Sequence, residues 1–287
     1  MNPNPSDPTL AARFFFRNCS VSIHLPGELR IARTNGPGVD DVILDRDFIP
    51  AKDPSEFIGK QSDFFRFLDG TSPSNSELVK KLCAIGYMLC NKRYHRLAHH
   101  SFICVNEDSG AFANGKTLFA NAVAQLCNPV TVSLRDLSRV FGLSAVDNGT
   151  TLLIVDEVPP RSHLIKLFSF CTADWEVNRK GQPTLVIPSG RTPYLLVTSS
   201  VSLEKLRSDR AFRRRFVPLV FSSMFGPGCP IDKYIGRTMF HDWDSAQWHM
   251  FDNFMFYCVI EYLRRFDGVT DVFSRYEWHA PELGPLC

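Results

Sequence analysis

Gly110-Ala111-Phe112-Ala113-Asn114-Gly115-Lys116-Thr117 fits the phosphate-binding pattern G-x-x-x-x-G-K-[ST] at every fixed position. Two glycines let the backbone curl so that successive N–H groups point at phosphate oxygens. That chemistry assigns the phosphates of ATP to Gly110, Ala113, Asn114, Gly115, Lys116 and Thr117. Lys116 reaches the β- and γ-phosphates, and the Thr117 hydroxyl holds Mg2+. The competing reading is a chance glycine-rich turn, so the flanks decide. Ser101-Phe102-Ile103-Cys104-Val105 upstream reads as a buried strand, and residues 117–126 downstream read as a helix. Strand, glycine loop and helix is the required order, with the positive end of the helix dipole aimed at the phosphates.

A second signature follows at Thr151-Leu152-Leu153-Ile154-Val155-Asp156-Glu157. A buried parallel strand that ends in two acids delivers Asp156 to the Mg2+ shell and Glu157 to the attacking water. The bland alternative is a strand that happens to end in acids. Tyr194-Leu195-Leu196-Val197-Thr198-Ser199-Ser200 is another buried-type strand, ending in hydroxyls beside the acids and within reach of the γ-phosphate.

Two basic stretches come next. Trp175 to Asn178 and Pro183 to Ile187 read as a hairpin whose tip carries Arg179, Lys180 and Gly181. The turn requires the glycine but not the cations, which suit nucleic acid phosphates. Surface lysines are also common without any such role. Arg213-Arg214-Arg215 then precedes the strand from Phe216 to Phe221. One of these arginines placed at a neighbouring subunit's nucleotide would act as an arginine finger. Binding of carboxylates or nucleic acid within one subunit is the other reading.

The remaining sequence sets bounds. At 287 residues the chain can bury a large core, and its composition is that of a globular protein. No apolar run is long enough for a membrane span and no signal-peptide pattern opens the chain, so the expectation is a cytoplasmic protein with no membrane partner. Residues 161–220 carry eleven Lys/Arg against four Asp/Glu, whereas residues 221–287 carry five against nine. A basic belt in mid-chain suits a polyanion. The nine cysteines form no C-x-x-C pair, and a zinc site from His95, His99, His100 and Cys104 matches no familiar spacing. Asp45 and Asp47 are set as a metal pair would be, but turn and capping duty is far commoner for such a pair. The first dozen residues read as a loose tail, Asn35 to Gly38 as a turn, and Ser74 and Asp244 as helix N-caps. The helical aromatic stripe from Trp248 to Leu263 reads as core packing.

With those residues in hand, the chain resembles the superfamily 3 helicases, AAA+ ring ATPases. The similarity is greatest to the helicase part of phage and mobile-element primase–helicase proteins. The shared order is phosphate loop, Asp156-Glu157, basic hairpin, polar strand end and arginine before a strand. Ile85-Gly86-Tyr87, Val177 to Gly181, Phe212 to Arg215, Asp242-Trp243-Asp244, Phe15-x-Arg17-Asn18-Cys19 and Arg46-Asp47-Phe48 carry it further.

The resemblance implies an α/β AAA+ phosphate-loop fold with a parallel central sheet, a mixed N-terminal region and a C-terminal helical segment. The expected divisions are 1–70 (a candidate assembly collar), 71–225 (the ATPase core) and 226–287. It also implies ATP and Mg2+ as cofactors and a role as a DNA helicase in replication of a phage, plasmid or other mobile element. On the same resemblance, Arg179 and Lys180 are expected to grip single-stranded or forked DNA. Arg215, or Arg214 if the register slips, acts on the neighbour's ATP in a homo-oligomer, expected to be a hexamer. Relatives often carry a primase domain ahead of this core and the chain is too short for one, so the expectation is a stand-alone helicase that recruits a separate primase or polymerase, or part of a larger system. The family usually has asparagine where Ser200 stands. A serine has shorter reach and one donor, which predicts slower hydrolysis or a shift of that role to Thr198 or Ser199. The rival readings are a ring ATPase that remodels nucleic acid or protein, including in defence, and a DNA-binding assembly that uses ATP as a switch.

Overall fold

The computed structural model describes residues 8–32, 43–91, 100–108, 114–159, 164–207, 209–266 and 272–273. In chain order the strands are β1 (Leu10–Phe16), β2 (Ser20–His24), β3 (Glu28–Ala32) and β4 (Ile43–Leu44), followed by helices α1 (Asp63–Thr71) and α2 (Asn75–Leu89). Then come β5 (Ser101–Asn106), α3 (Lys116–Ala124), β6 (Pro129–Ser133), α4 (Leu134–Leu137), β7 (Leu152–Val158), β8 (Trp175–Val177) and β9 (Leu185–Ile187). The rest is β10 (Tyr194–Ser202), α5 (Leu203–Arg207), α6 (Arg210–Arg213), β11 (Phe216–Phe221), α7 (Ile231–Ile235) and α8 (Ser245–Arg265).

Five of these strands form one sheet in the order β11-β5-β10-β7-β6, every pair parallel. Parallel sheets need cover on both faces, and the sequence provides it by alternation. Phe102, Cys104, Ile154, Leu196 and Phe221 face one core, shared with α2, α3 and α8. Ile103, Val105, Leu153, Val155, Val197 and Val220 face the other, completed by Trp175, Leu206 and Phe212. This is an α/β fold consistent with the phosphate-loop NTPase kind, with the parallel central sheet that the apolar runs ending in polar residues predict.

The second sheet, in the order β3-β2-β1-β4, packs on the C-terminal helix rather than standing apart. Phe14, Phe16 and Phe48 all meet Phe256 of α8, at centroid distances of 5.0, 6.0 and 5.3 Å. Beside them Arg46 forks onto the fully buried Asp252 with Nη2–Oδ1 of 2.6 Å and Nε–Oδ2 of 2.8 Å. One core thus runs across residues 70 and 225, both expected divisions. Helices α2 and α8 approach so closely that a Cβ on Gly86 would lie 2.2 Å from the Cys258 carbonyl oxygen.

Local signals hold at the helix starts. Ser74 caps α2 by accepting from Glu77 N–H at 3.2 Å, and Asp244 caps α8 by accepting from Gln247 N–H at 3.0 Å. The stripe on α8 is core, with Phe251, Phe254, Met255, Cys258 and Val259 all buried. Strand β1 begins at Leu10, inside the stretch expected to be a tail. Ala11 and Ala12 have little strand propensity of their own, and burial decides their state. Arg17 pairs with Asp47 at 3.3 Å, so that acid serves a surface ion pair. The Asn35 to Gly38 turn, Asp40, Asp41, His95 and His99 lie outside the described residues. No helix among the described residues is long and apolar enough to cross a membrane.

Candidate nucleotide site and basic surfaces

The C-terminal ends of β5, β7 and β10 meet the start of α3, the place where open parallel sheets present ligands. Gly110 and Ala113 lie outside the described residues; the loop is described from Asn114 onward. Gly115 has φ of +89°, in the left-handed region, and a Cβ there would lie 2.4 Å from the Phe67 ring. Only glycine fits, because conformation and space both exclude a side chain. The ring of Phe67 on α1 therefore backs the phosphate loop.

Lys116 opens α3, and its Nζ donates to Asn106 Oδ1 at 2.5 Å and Asn114 Oδ1 at 2.6 Å. Burial draws its ammonium below the ordinary lysine range. Both asparagines are buried. Asn106 also accepts from Asn114 Nδ2 at 3.0 Å and donates to the Ser200 carbonyl at 3.1 Å, so it ties the phosphate loop to the end of β10. Lys116 is thus held among neutral oxygens, where a phosphate can replace them.

Opposite, Thr117 Oγ1 donates to Asp156 Oδ1 at 3.0 Å. A hydroxyl and a carboxylate at this spacing are the hard oxygen donors that suit Mg2+, an ion that binds few protein groups and keeps phosphate and water ligands. No cluster of three or more His, Cys, Asp or Glu residues that could hold a metal ion occurs among the described residues. Glu157 follows with φ of +53°, its side chain exposed. A non-glycine residue in that conformation costs about 1–2 kcal/mol, so its surroundings must hold it there.

Thr198 is what holds it. Its Oγ1 donates to Asp156 Oδ1 at 2.5 Å and accepts the Glu157 N–H at 2.8 Å. Ser199 Oγ donates to the Val158 carbonyl at 2.8 Å. Ser200, the expected strand-end group, is exposed and meets the site through its backbone carbonyl. Asn106 went unnoticed in the sequence, although a carboxamide closing the apolar run Ser101 to Val105 just before the glycine loop was a visible signal.

The structure brings Asn114, Lys116, Thr117, Asp156 and Glu157 together; the basic residues stand elsewhere. The hairpin forms, with Trp175 opposite Ile187 and Val177 opposite Leu185, and Gly181 turns at φ of +71°. Arg179 braces it, donating to the Ser144 carbonyl at 2.9 Å and the Val146 carbonyl at 2.5 Å. Lys180 is exposed at the tip. In the arginine run, Arg213 and Arg214 are exposed. Arg215 instead lies over the Phe168 ring at 4.6 Å and donates to the Ala211 carbonyl at 3.2 Å. Its buried Nε has no partner among the described residues.

No protein-family model matches the sequence, and no curated protein matches it either. Among solved structures the chain is similar to JCV helicase with a bound acetamide compound, at TM-score 0.39 and 15% identity. That alignment takes in 57% of this chain and 46% of the other. It is also similar to the apo C-terminal region of NrS-1 in two A-form structures, at TM-score 0.42 and 10% identity over 88% of this chain and 66% of that one. The chain spans less than two thirds of the length of each.

Proposed function

We propose that the protein binds Mg2+-ATP at the Lys116–Asp156 site and hydrolyses it as an AAA+ ring motor of the superfamily 3 kind. In this reading it moves along and separates DNA during replication of a phage, plasmid or other mobile element. The observation that carries the reading is the meeting of Thr117 and Asp156 at 3.0 Å beside Lys116, at the C-terminal edge of a parallel sheet. Lys116 leaves its two amide oxygens for the β- and γ-phosphates, and Thr117 and Asp156 hold Mg2+. Bound Mg2+ supplies charge neutralisation. Glu157, exposed next to it, orients and deprotonates the attacking water.

Lys180 supports the DNA role, since it is exposed on a hairpin braced by Arg179. The two cations then divide the work, with Arg179 holding the tip and Lys180 meeting the DNA backbone. The exposed Arg214 is better placed than Arg215 to reach a neighbour's ATP across a ring, expected to be a hexamer. A separate primase or polymerase would act beside it. A second reading, an assembly switched by ATP with little turnover, draws support from the exposed Ser200 and from Arg215 being folded onto its own chain.

ATP hydrolysis by wild type, Lys116→Ala and Glu157→Gln tests the core reading. Glu157→Gln is expected to bind ATP and to lose about 10²–10⁴ in turnover. A Glu157→Gln variant as active as wild type would remove that residue from the mechanism. A gain of turnover in Ser200→Asn would favour the switch.

A further inference from the structure

We propose that Thr198 is a positioning residue: with Ser199 it clamps a β-bulge in β7 and so aims Asp156 and Glu157 at the nucleotide. The inference rests on the nucleotide reading above and deepens it, since it says which groups set the geometry of the acids.

Three independent features coincide at this point. In the β10–β7 ladder Val197 stands opposite Val155, but the next pair is Ser199 with Val158. Thr198 alone therefore faces both Asp156 and Glu157, which is a bulge with one extra residue on β7. On the other side β6 stays in register as far as Ser133 and Asp156, where that ladder ends. Glu157 in the bulge has φ of +53°. The side chains that answer this are both hydroxyls and both buried, Thr198 at 2% exposure and Ser199 at 1%.

The hydrogen bonds show what the clamp does. A hydroxyl has one proton and two lone pairs. Thr198 directs its proton to Asp156 Oδ1 and a lone pair to the Glu157 N–H, so one side chain fixes both acids. Asp156 Oδ1 also accepts from Thr117, which leaves Oδ2 as the carboxylate oxygen without a hydroxyl partner among the described residues. That oxygen would be free to hold Mg2+. Ser199 closes the bulge by donating to the Val158 carbonyl, at the pair that ends the ladder. Where the bulge and its strain are set by hydroxyls, removing one lets the acids rotate without emptying the core.

The test uses the full chain and the variants Thr198→Val, Thr198→Ser and Lys116→Ala. A fluorescent ATP analogue is titrated at rising Mg2+, and ATP hydrolysis is followed in parallel. Thr198→Val keeps shape and burial but loses both hydroxyl roles. It is expected to raise the half-saturating Mg2+ about tenfold and to lower turnover about ten- to a hundredfold. Binding without Mg2+ stays within about twofold of wild type, because Lys116 is untouched. Thr198→Ser restores both properties to within about threefold. A purely structural role would lower the unfolding midpoint and leave the Mg2+ requirement where it is.

Wild-type Mg2+ dependence and turnover in Thr198→Val would overturn the proposal. So would a Thr198→Ser variant as impaired as Thr198→Val. If Lys116→Ala binds nucleotide as wild type does, the nucleotide reading itself fails and the clamp goes with it. That outcome is distinct from a dead Lys116→Ala beside an active Thr198→Val.

Discussion

Lys81, in the middle of α2, is completely buried, and its replacement by methionine gives a quantitative test of the packing beneath the phosphate loop. Its Nζ donates to the Thr71 carbonyl at 2.9 Å and to Ser72 Oγ at 3.1 Å, and it lies 4.1 Å from the centroid of the Phe221 ring. Desolvation lowers its pKa to about 7, against partial compensation from Glu77 and Glu107 and with Lys80 adding to the fall. The folded pKa lies below the unfolded one. From about pH 7 up to the ordinary lysine range, the unfolded chain therefore holds the extra proton, and stability rises with pH. Below about pH 7 the cost of burying the charge is present in full. Integrated over pH 7 to 9, the rise is about 2 kcal/mol for this one group.

Other groups titrate in the same range with the opposite sign. Burial pushes the thiols of Cys90, Cys104 and Cys127 up, so they stay protonated when folded and ionise when unfolded. The useful quantity is therefore the difference between wild type and Lys81→Met at each pH. Methionine orphans no partner: the Thr71 carbonyl also accepts from Ser222 N–H at 2.9 Å, and the Ser72 hydroxyl, like the Thr71 hydroxyl that Lys81 meets at 3.4 Å, donates to the Leu68 carbonyl. Urea unfolding under reducing conditions at pH 7, 8 and 9 reads the effect through the midpoint at constant slope. The variant is expected to be no less stable than wild type at pH 7 and to lose its relative advantage by about 2 kcal/mol at pH 9. Parallel stability curves would refute the buried, depressed ammonium.

Further perturbations bear on other parts of the account. Gly115→Ala meets both the Phe67 ring and a left-handed backbone, so it is expected to cost about 2–4 kcal/mol in urea unfolding and to weaken nucleotide binding. Asp252→Ala leaves Arg46 unpaired beside α8, with an expected loss of about 3–5 kcal/mol; an unchanged unfolding midpoint would count against that ion pair. The hairpin cations should separate: Arg179→Ala loses about 1–3 kcal/mol of stability, whereas Lys180→Ala leaves stability alone and reduces the salt dependence of single-stranded DNA binding. Mixing Arg214→Ala with Lys116→Ala subunits should recover turnover through mixed interfaces, and no recovery at any ratio would reject action across subunits.

The sheet was legible because its strands are short apolar runs ending in polar residues, a pattern that survives without tertiary context. Ser101 to Val105, Leu152 to Glu157 and Tyr194 to Ser200 all stand where that pattern puts them. What local pattern could not show is the joining of β1, β4 and α8, since the contact between Arg46 and Asp252 spans 206 residues of sequence. The acids and the phosphate-loop lysine were legible as motifs. In the sequence Thr198 figures only as a stand-in for the usual strand-end asparagine; its place at a bulge was not legible, because a bulge is a property of register between two strands. Arg214 and Arg215 are alike in sequence; the Phe168 ring and the Ala211 carbonyl, which hold Arg215 against its own chain, distinguish them.

The central claim is a site that couples ATP turnover to DNA. It is tested most directly by the rate of ATP hydrolysis by the purified chain with and without single-stranded DNA. The account predicts turnover that requires Lys116 and rises clearly when DNA is added. Turnover indifferent to DNA would contradict the motor and leave a nucleotide-driven remodelling factor in its place.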